Sequence, residues 1–369
     1  MTLTTRPNRS RTTRYNSRLQ PLIRALWIAT VLSGCQPQPA EKEIAGEVQG
    51  TTYHIKVVLP VDTQTSAEEL RHKIEARFAD IDAKLSNYRQ DSEISVLNRQ
   101  RTTEWLPISR DIANLIVIAR QVYQKSDGCY DLTVKPIFDL WGFSRHQGKV
   151  PDQAEIDRLL PHIGMDKLEE DFAGLRLRKH DPDMMVDLSS IAQGYTVGAV
   201  ADLLEADGIQ SYMAEIGGEM RVKGRKANGD PWRIAVEKPT PFTREVLRVL
   251  AIQQEQGTAV MTSGTYRNFF EEGGRTFSHI INPKTGKPVD HHLLSITVLH
   301  DNPTWADAWS TALLCLGEDQ GYELAEREGL RGLFVYAAEQ GMKERMTTAM
   351  TREADNPPTS GIEAQPTVK

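Results

Sequence analysis

The clearest periodic pattern of apolar residues lies in residues 66–85, where they recur every three or four positions. These residues are Leu70, Ile74, Phe78, Ile81 and Leu85. The spacing places them on one face of an amphipathic α-helix, and Ser66 with Glu69 resembles a capping box at its start. Further helices are predicted over residues 111–125, 191–206, 305–315 and 321–328.

Strands are predicted where β-branched and apolar residues alternate with polar ones between turn residues. The predicted strands cover residues 46–58 with a glycine break, 184–187, 212–224 with an interruption at Gly217-Gly218, 232–237 paired with 246–253, 258–264, 277–282, 295–299 and 333–338. Residues 144–175 are interpreted as a variable excursion with a short helix and a hairpin. Because strands and helices do not alternate as βαβ units, the pattern predicts an α+β layered fold with helices packed on mixed or antiparallel sheets.

The first 35 residues have the pattern of a targeting segment. Residues 1–34 contain six arginines and no Lys, Asp or Glu, and the apolar run at 25–32 is too short to span a bilayer. Leu32-Ser33-Gly34-Cys35 resembles the bacterial lipobox, in which the cysteine is lipidated and becomes the new N-terminus. The alternative is a chance cysteine beside an uncleaved amphipathic arm.

These patterns divide the chain into four segments. We predict a signal peptide over residues 1–34, a lipidated N-terminus and polar tether over 35–43, one folded domain over 44–350, and a disordered tail over 351–369. The predicted location is the bacterial cell envelope, where a lipid anchor holds the domain at the membrane, facing the periplasm.

The charge balance excludes one class of partner. The chain has a formal net charge of −6, and removal of the six N-terminal arginines leaves −12. An acidic mature protein argues against nucleic-acid binding, which needs a basic surface. Three cysteines cannot build a disulfide framework. Cys129 and Cys315 are interpreted as buried thiols, with a bond between them left open.

Asp307 and Thr311 are the first candidates for metal binding. They are four residues apart on a predicted helix, so both side chains lie on one face. With the adjacent Ser310 they offer hard oxygen ligands that suit Mg²⁺ or Ca²⁺. The alternative is a first helical turn in which the aspartate complements the helix dipole and Thr311 faces the core.

Three further residues stand at places where chemistry is common, each with an ordinary alternative. Asp187 lies at a strand-to-helix turn, where it could contribute to a cation or phosphate site or only cap the helix. His279 precedes a sharp turn, where it could act as a general base or be structural. Tyr88 lies on a polar turn, where its ring could stack on a planar ligand or cover the edge of the core.

Together, these segments resemble the ApbE family of FAD:protein FMN transferases. The resemblance runs from about residue 46 to residue 336. It rests on motifs in matching order, at residues 85–88, 127–128 with 131–134, 187–194, 216–218, 262–266, 279–288 and 306–311. It implies an ApbE-type layered fold with a T-fold-like core.

The resemblance also implies an activity: FAD and Mg²⁺ are bound, the pyrophosphate of FAD is split, AMP is released, and FMN is joined by a phosphoester to a threonine of an acceptor. The implied acceptor is a subunit of a membrane redox complex. No acceptor motif occurs in this chain, so self-flavinylation is not expected. The alternatives are an FAD pyrophosphatase that releases FMN and AMP, and a non-catalytic FAD-binding lipoprotein.

The resemblance assigns roles to particular residues. His279 is implied as the base on the acceptor hydroxyl. The cation is implied to take the Ser190 backbone carbonyl with Asp307, Ser310 and Thr311. The residues implied to line the FAD site are Gln49, Tyr88, Cys129, Tyr130, Asp131, Asp187, Gln193, Ile280 and Ile281, with Tyr88 stacking on the isoalloxazine. Gln193 stands where lysine is frequent, so a positive contact to phosphate is expected to be missing.

Overall fold

Short antiparallel strands make up much of the computed structural model, which describes residues 1–2, 39–63, 65–145, 147–241, 243–252 and 256–355. In chain order they are β1 (Ala40–Val48), β2 (Thr51–Leu59), β3 (Leu106–Pro107), β4 (Leu168–Asp171), β5 (Arg176–Lys179), β6 (Tyr212–Ile216), β7 (Glu219–Lys223), β8 (Trp232–Glu237), β9 (Val246–Ile252), β10 (Thr258–Gly264), β11 (Phe269–Glu272), β12 (Arg275–Ser278), β13 (Ile281–Asn282), β14 (Lys287–Pro288), β15 (Leu293–His300), β16 (Arg331–Ala338) and β17 (Gly341–Met346).

The helices agree well with the apolar periodicity. They are α1 (Ala67–Leu85), α2 (Glu93–Arg99), α3 (Arg110–Lys125), α4 (Lys135–Leu140), α5 (Gln153–Leu159), α6 (Ser189–Ala206), α7 (Pro303–Arg327) and α8 (Thr348–Asp355). In α1 the five periodic apolar residues are buried, and the capping box forms between Ser66 and Glu69. The helix predicted at residues 66–85 is therefore confirmed.

Eight strands form the central sheet, in the order β1-β2-β6-β7-β10-β15-β16-β17. Every neighbouring pair is antiparallel. Successive residues of a strand face opposite sides of a sheet. Met261 and Val298 accordingly pack in the main core with the helices, whereas Val260 and Leu299 pack on the other side with Trp232 of the β8–β9 hairpin. The α+β layered fold is confirmed.

Both glycine breaks in the predicted strands are hairpin turns. Residues 46–58 were expected to form one strand, but the chain reverses at Gln49-Gly50, which have φ angles of 52° and 76°. Residues 212–224 likewise reverse at Gly217-Gly218, with φ angles of 60° and 98°. Two central residues with positive φ are the signature of a two-residue turn that matches the twist of its strands. The predicted breaks are therefore at the right positions, but each separates the two antiparallel strands of a β-hairpin and does not interrupt one continuous strand.

Three other predicted elements differ in extent. The strand expected at 277–282 is divided into β12 and β13, with His279 between them. The helices expected at 305–315 and 321–328 are joined as α7, which is broken by non-helical backbone at Gly317 (φ 83°, ψ −174°). Within the predicted excursion, α5 and the β4–β5 hairpin bear out the short helix and the hairpin.

The ends of the domain also differ from the prediction. Strand β1 begins at Ala40, so residues 40–43 belong to the sheet and not to a tether. Backbone pairing at a sheet edge does not need apolar side chains, so a polar segment can form an edge strand without an apolar pattern. Helix α8 continues to Asp355, so residues 351–355 are helical and not a disordered tail.

Two predicted segments lie mostly or wholly outside the described residues. The lipobox with Cys35 and residues 356–369 fall there, as does nearly all of the predicted signal peptide. The chain divides into two units, Met1–Gln38 and Pro39–Lys369. In the described part of the chain, no helix has both the length and the apolar character that crossing a membrane requires.

Candidate active site

A cavity of about 360 Å³ lies where α6 and α7 meet the ends of several strands and turns. Most of the residues singled out in the sequence line it: Cys129, Tyr130, Asp131, Asp187, Ser190, Gln193, His279, Ile280, Ile281, Asp307 and Thr311. Cys315 lines it as well and forms a disulfide with Cys129, 186 positions away, so the interpretation of these two residues as buried thiols is wrong and the bond that was left open is present.

A second cavity, of about 790 Å³, adjoins the first. Gln49 and Tyr88 line it, and the two cavities share Ser189 and Gln193. The side chain of Tyr88 is 76% exposed, so its ring is available to a planar ligand. Gln49 and Tyr88, which were predicted to bind FAD but do not line the first cavity, therefore line the second one.

Gly194 allows helices α6 and α7 to approach closely at the first cavity. A β-carbon on this residue would lie 2.5 Å from the Pro303 carbonyl oxygen and 2.6 Å from the Asp307 β-carbon. In this contact the Gly194 N–H donates a hydrogen bond to Asp307 Oδ2 (2.7 Å). In an α-helix this N–H normally pairs with the carbonyl four residues earlier, which is that of Ser190. The Asp307 carboxylate is therefore held beside the turn that carries the Ser190 carbonyl.

Ser263, at the end of β10, organises the hydroxyl groups of α7. Its Oγ lies 2.7 Å from Ser310 Oγ and 3.4 Å from Thr311 Oγ1. The Ser310 hydroxyl also donates to the Asp307 backbone carbonyl (2.9 Å) and is fully buried. Asp307 and Thr311 thus line the cavity, whereas Ser310 is engaged by protein partners beside it.

The cavity is rich in carboxyl groups. Among the described residues that line it, the carboxylates of Asp131, Asp187, Glu219 and Asp307 outnumber the single guanidinium of Arg267. Burial raises the pKa of Asp307 above its usual range, although the Gly194 hydrogen bond acts in the opposite direction. Burial, and then the charge of Asp307, raise the pKa of Glu219. A cation placed here would stabilise the ionised form of both carboxylates.

Asp187 follows an extended segment that has no strand partner. The strand predicted at 184–187 is therefore wrong. The side-chain amide of Asn98 takes the place of a neighbouring strand: its Nδ2 donates to the Val186 carbonyl (2.8 Å), and its Oδ1 accepts from the Val186 N–H (2.7 Å). The Asp187 N–H donates to the Leu132 carbonyl (2.7 Å). Side-chain and loop contacts thus position the carboxylate.

Asn98→Ala should destabilise the protein by about 2–4 kcal/mol, because it leaves two buried backbone groups of Val186 without partners. Urea denaturation would measure the loss. Asn114→Ala is the matched control, since Asn114 is exposed on α3 and its replacement should change stability little. Equal stability of the two variants would contradict the role assigned to Asn98.

The Asp187 carboxylate accepts hydrogen bonds from Asn87 Nδ2 (2.7 Å) and the Ser189 N–H (2.8 Å). It therefore steadies the start of α6 without forming a standard N-cap, which the structure places at Leu188. Asn87 Oδ1 is buried and has no hydrogen-bond partner. Buried polar atoms are usually paired, so this oxygen is suited to a donor group on a ligand in the larger cavity.

Tyr130 and Asp131 line the first cavity. The Tyr130 hydroxyl accepts a hydrogen bond from Ser190 Oγ (3.2 Å). The Asp131 carboxylate accepts from the Thr133 N–H (2.7 Å), the Thr133 hydroxyl (2.6 Å) and the Met165 N–H (3.2 Å). Asp131 is thus largely occupied in holding its own turn.

His279 is oriented by the backbone of Asn268. Its Nδ1 lies 3.0 Å from the Asn268 carbonyl oxygen, which can only accept, so Nδ1 carries the proton. In the neutral ring, Nε2 is then the free acceptor. Burial lowers the pKa of His279 below its usual value, which favours the neutral form. The side chain therefore has the protonation state of a general base.

Gln193 is fixed against the hairpin turn between β6 and β7. Its Nε2 donates to the Ile216 carbonyl (2.7 Å). A β-carbon on Gly217 would lie 2.4 Å from this nitrogen, and the positive φ of Gly217 also favours glycine. The turn thus allows the Gln193 amide to lie between the two cavities.

Sequence reasoning missed Asn98, and it gave Gly194, Glu219 and Ser263 no role of their own. The partners of Asn98 and Gly194 lie 88 and 113 positions away in the chain, beyond the reach of any local pattern. Ser263 lies within the motif at 262–266, and Glu219 directly follows the motif at 216–218. The available signal for Gly194 was a glycine inside a predicted helix, which can mark a place where another element packs closely.

Comparison with known proteins adds independent findings. The model of the ApbE family matches residues 49–334 of the chain. The FAD:protein FMN transferase of Haemophilus influenzae is 37% identical over 333 residues, covering 89% of this chain and 96% of that protein. The FAD:protein FMN transferase of Salmonella typhimurium is 35% identical over 330 residues, covering 86% and 93%.

Two solved structures have the same fold. The flavin transferase ApbE from Vibrio cholerae superimposes with a TM-score of 0.77 at 33% identity, covering 85% of this chain and 99% of that one. The apo form of the flavinyl transferase ApbE from Pseudomonas stutzeri gives a TM-score of 0.78 at 36% identity, covering 86% and 98%. The similarity extends over nearly the whole length of these relatives.

Proposed function

The chain belongs to the ApbE family, and we propose that it is an FAD:protein FMN transferase that joins FMN to a threonine of an acceptor protein. The observation that carries this proposal is the single cavity that holds Asp307, Thr311 and His279 together. It places hard oxygen ligands for a cation in the same cavity as a histidine that can act as a base, and phosphoryl transfer to a hydroxyl can use both.

The donor set of the cavity fits a divalent cation such as Mg²⁺. Asp307 and Thr311 would hold it with the Ser190 carbonyl, and Ser310 would join them by exchanging a present partner. Oxygen ligands of this kind suit Mg²⁺, and the excess of carboxylates favours a positive ion. The bound cation would stabilise the negative charge that develops on the phosphoryl oxygens.

The two adjoining cavities suit the two parts of FAD. In the proposed arrangement the isoalloxazine stacks on Tyr88, and the buried Asn87 Oδ1 accepts a hydrogen bond from a ligand group. The pyrophosphate lies in the smaller cavity between α6 and α7. The absence of lysine at Gln193 leaves Arg267 as the cationic side chain among the described residues of that wall.

In the proposed chemical step, His279 acts as the base that takes the proton of the acceptor threonine. The acceptor threonine oxygen attacks the phosphorus of the FMN half, its proton passes to His279 Nε2, and the bond to the phosphate of AMP breaks. A phosphoester forms and AMP leaves with the bonding electron pair. The Asn268 carbonyl stabilises the imidazolium through the Nδ1–H bond.

The direct test combines the purified protein with FAD, Mg²⁺ and an acceptor domain. The expected product is a fluorescent flavin that stays on the acceptor through acid precipitation and denaturing electrophoresis. An acceptor with alanine in place of its threonine is the control. Release of free FMN and AMP without labelling would favour an FAD pyrophosphatase, and intact FAD bound for hours with Mg²⁺ would favour a binding protein.

Ser190→Ala should leave the transfer rate at saturating Mg²⁺ within about threefold of the wild type, because the proposed ligand is the backbone carbonyl. The lost hydrogen bond to Tyr130 should lower stability by about 1 kcal/mol. Transfer kinetics and thermal denaturation measure the two effects. If the variant binds FAD but is inactive, the backbone role proposed for Ser190 is wrong.

Membrane attachment rests on the sequence of the first 35 residues. We propose that Cys35 is lipidated, that the mature protein is anchored to a membrane of the cell envelope, and that it acts on a redox subunit there. Mass spectrometry of the mature N-terminus tests this, and an unmodified Cys35 in membrane fractions would contradict it.

A further inference from the structure

We propose that the disulfide between Cys129 and Cys315 is a positioning cross-link of the cation site, so that its reduction weakens binding of a divalent cation while the domain stays folded. The proposal rests on the proposed function, because it takes Asp307 and Thr311 as ligands. It adds that the affinity for the cation depends on whether the two cysteines are bonded, although the transfer reaction itself uses neither cysteine.

The disulfide lies in the wall of the smaller cavity. The two α-carbons are 5.9 Å apart, within the usual range for bonded cysteines, and 186 positions separate them in the chain. Both cysteines line the cavity together with Asp307 and Thr311. The bond therefore crosses between two walls of the site itself.

On one side, Cys315 is aligned with the proposed ligands. It follows Thr311 by four residues and Asp307 by eight, so the three side chains lie along one face of α7. The regular part of α7 ends just beyond it, at the non-helical backbone of Gly317. Cys315 thus anchors the C-terminal end of the helical segment that carries the ligands.

On the other side, Cys129 is adjacent to the remaining wall. It directly precedes Tyr130, whose hydroxyl accepts the hydrogen bond from Ser190 Oγ. Ser190 supplies the proposed carbonyl ligand. The covalent bond therefore links the helix that carries Asp307 to the turn that contacts Ser190, and it limits the distance between the ligands on α6 and those on α7.

Other contacts keep α7 in place when the disulfide is open. The Gly194–Asp307 hydrogen bond holds the N-terminal part of the helix, and His291 Nε2 lies 2.8 Å from the Leu314 carbonyl oxygen near the disulfide. Leu313 and Leu314 are fully buried in the main core. Reduction is therefore expected to loosen the ligand geometry and not to unfold the domain.

The redox step uses an external dithiol. Its thiolate attacks one sulfur of the pair, the Cys129–Cys315 bond breaks, and a mixed disulfide forms. The second thiol of the reagent then displaces the protein sulfur. Two protein thiols and the cyclic disulfide of the reagent result, with two electrons transferred to the protein. Both cysteines line the cavity, through which a small dithiol can reach the disulfide.

The test measures cation binding without flavin. Calorimetric titration of the full-length protein with Mn²⁺ should give a Kd about tenfold higher after dithiothreitol treatment and removal of the reagent under nitrogen. This is the lower end of the loss seen when groups that orient metal ligands are removed. The Cys129→Ala/Cys315→Ala double variant should show the higher Kd with or without reductant.

Transfer kinetics separate this proposal from the proposed function. Reduction should raise the apparent KM for Mg²⁺ and leave kcat at saturating Mg²⁺ within about twofold. Equal Mn²⁺ affinity in the oxidised and reduced wild type overturns the cross-link role, as do two free thiols at these positions in the untreated protein. If reduction raises the Kd for Mn²⁺ as expected but the protein transfers no flavin in either state, only the proposed function is overturned.

Discussion

Asp307→Asn should lower the rate of flavin transfer by about a thousandfold or more and leave the protein folded. Asparagine keeps the size of the side chain and an oxygen for the Gly194 N–H, but it removes the charge that would hold the cation. Metal ions contribute several kcal/mol to phosphoryl charge stabilisation. Each ~1.4 kcal/mol corresponds to a tenfold change in rate, which sets the expected size of the loss.

Single-turnover transfer measured across a range of Mg²⁺ concentrations provides the test. Mn²⁺ titration should show the accompanying loss of cation binding. Asp319→Asn is the matched control, because Asp319 is exposed on the same helix and should transfer flavin at the wild-type rate. An Asp307→Asn protein that works within tenfold of the wild type at saturating Mg²⁺ would disprove the proposed ligand role.

Glu219 gives a second reason to expect a cation beside Asp307. It lines the same cavity, and the charge of Asp307 helps to raise its pKa. Arg267 also lines the cavity, but its guanidinium is paired with Glu237 (Nη2 to Oε2, 2.6 Å). The protein thus leaves the charge of its carboxylates incompletely compensated, and burial of such charge is costly unless a cation is present.

The apolar periodicity sufficed for the helices because a helical face is determined by residues close together in the chain. In α1, Leu70, Ile74 and Phe78 became buried as their spacing predicted. The helix predicted at 191–206 begins only two residues earlier, at Ser189. The candidate site was predicted through the resemblance to the ApbE family, because the local patterns around Asp187, His279 and Asp307 each had an ordinary alternative.

Chain reversals and side-chain pairing could not be predicted in this way. An alternating strand and a hairpin with two turn residues have nearly the same local pattern, and the difference at Gln49-Gly50 depends on φ angles. The segment before Asp187 has the composition of a strand, but its partner is the amide of Asn98. Such pairings are determined by tertiary packing, which overrides local preference.

His279 gives the second large effect. His279→Ala should lower kcat for flavin transfer by about 10²–10⁴-fold, the usual contribution of a positioned general base. FAD and Mn²⁺ binding should stay near the wild-type values, because His279 is not among the proposed ligands. His72→Ala is the matched control, since His72 is exposed on α1. A variant that transfers flavin at the wild-type rate would exclude His279 as the base.

The pH profile distinguishes this role from a structural one. A base acts in its neutral form, and burial lowers the pKa of His279 below 6.5. Transfer by the wild type should therefore be nearly independent of this group well above its usual pKa, and should decline as the pH falls through the lowered pKa. At saturating Mg²⁺, which stabilises the ionised form of Asp307, that acidic decline should disappear from the residual rate of His279→Ala. If it persists unchanged, a different group takes the proton from the acceptor threonine.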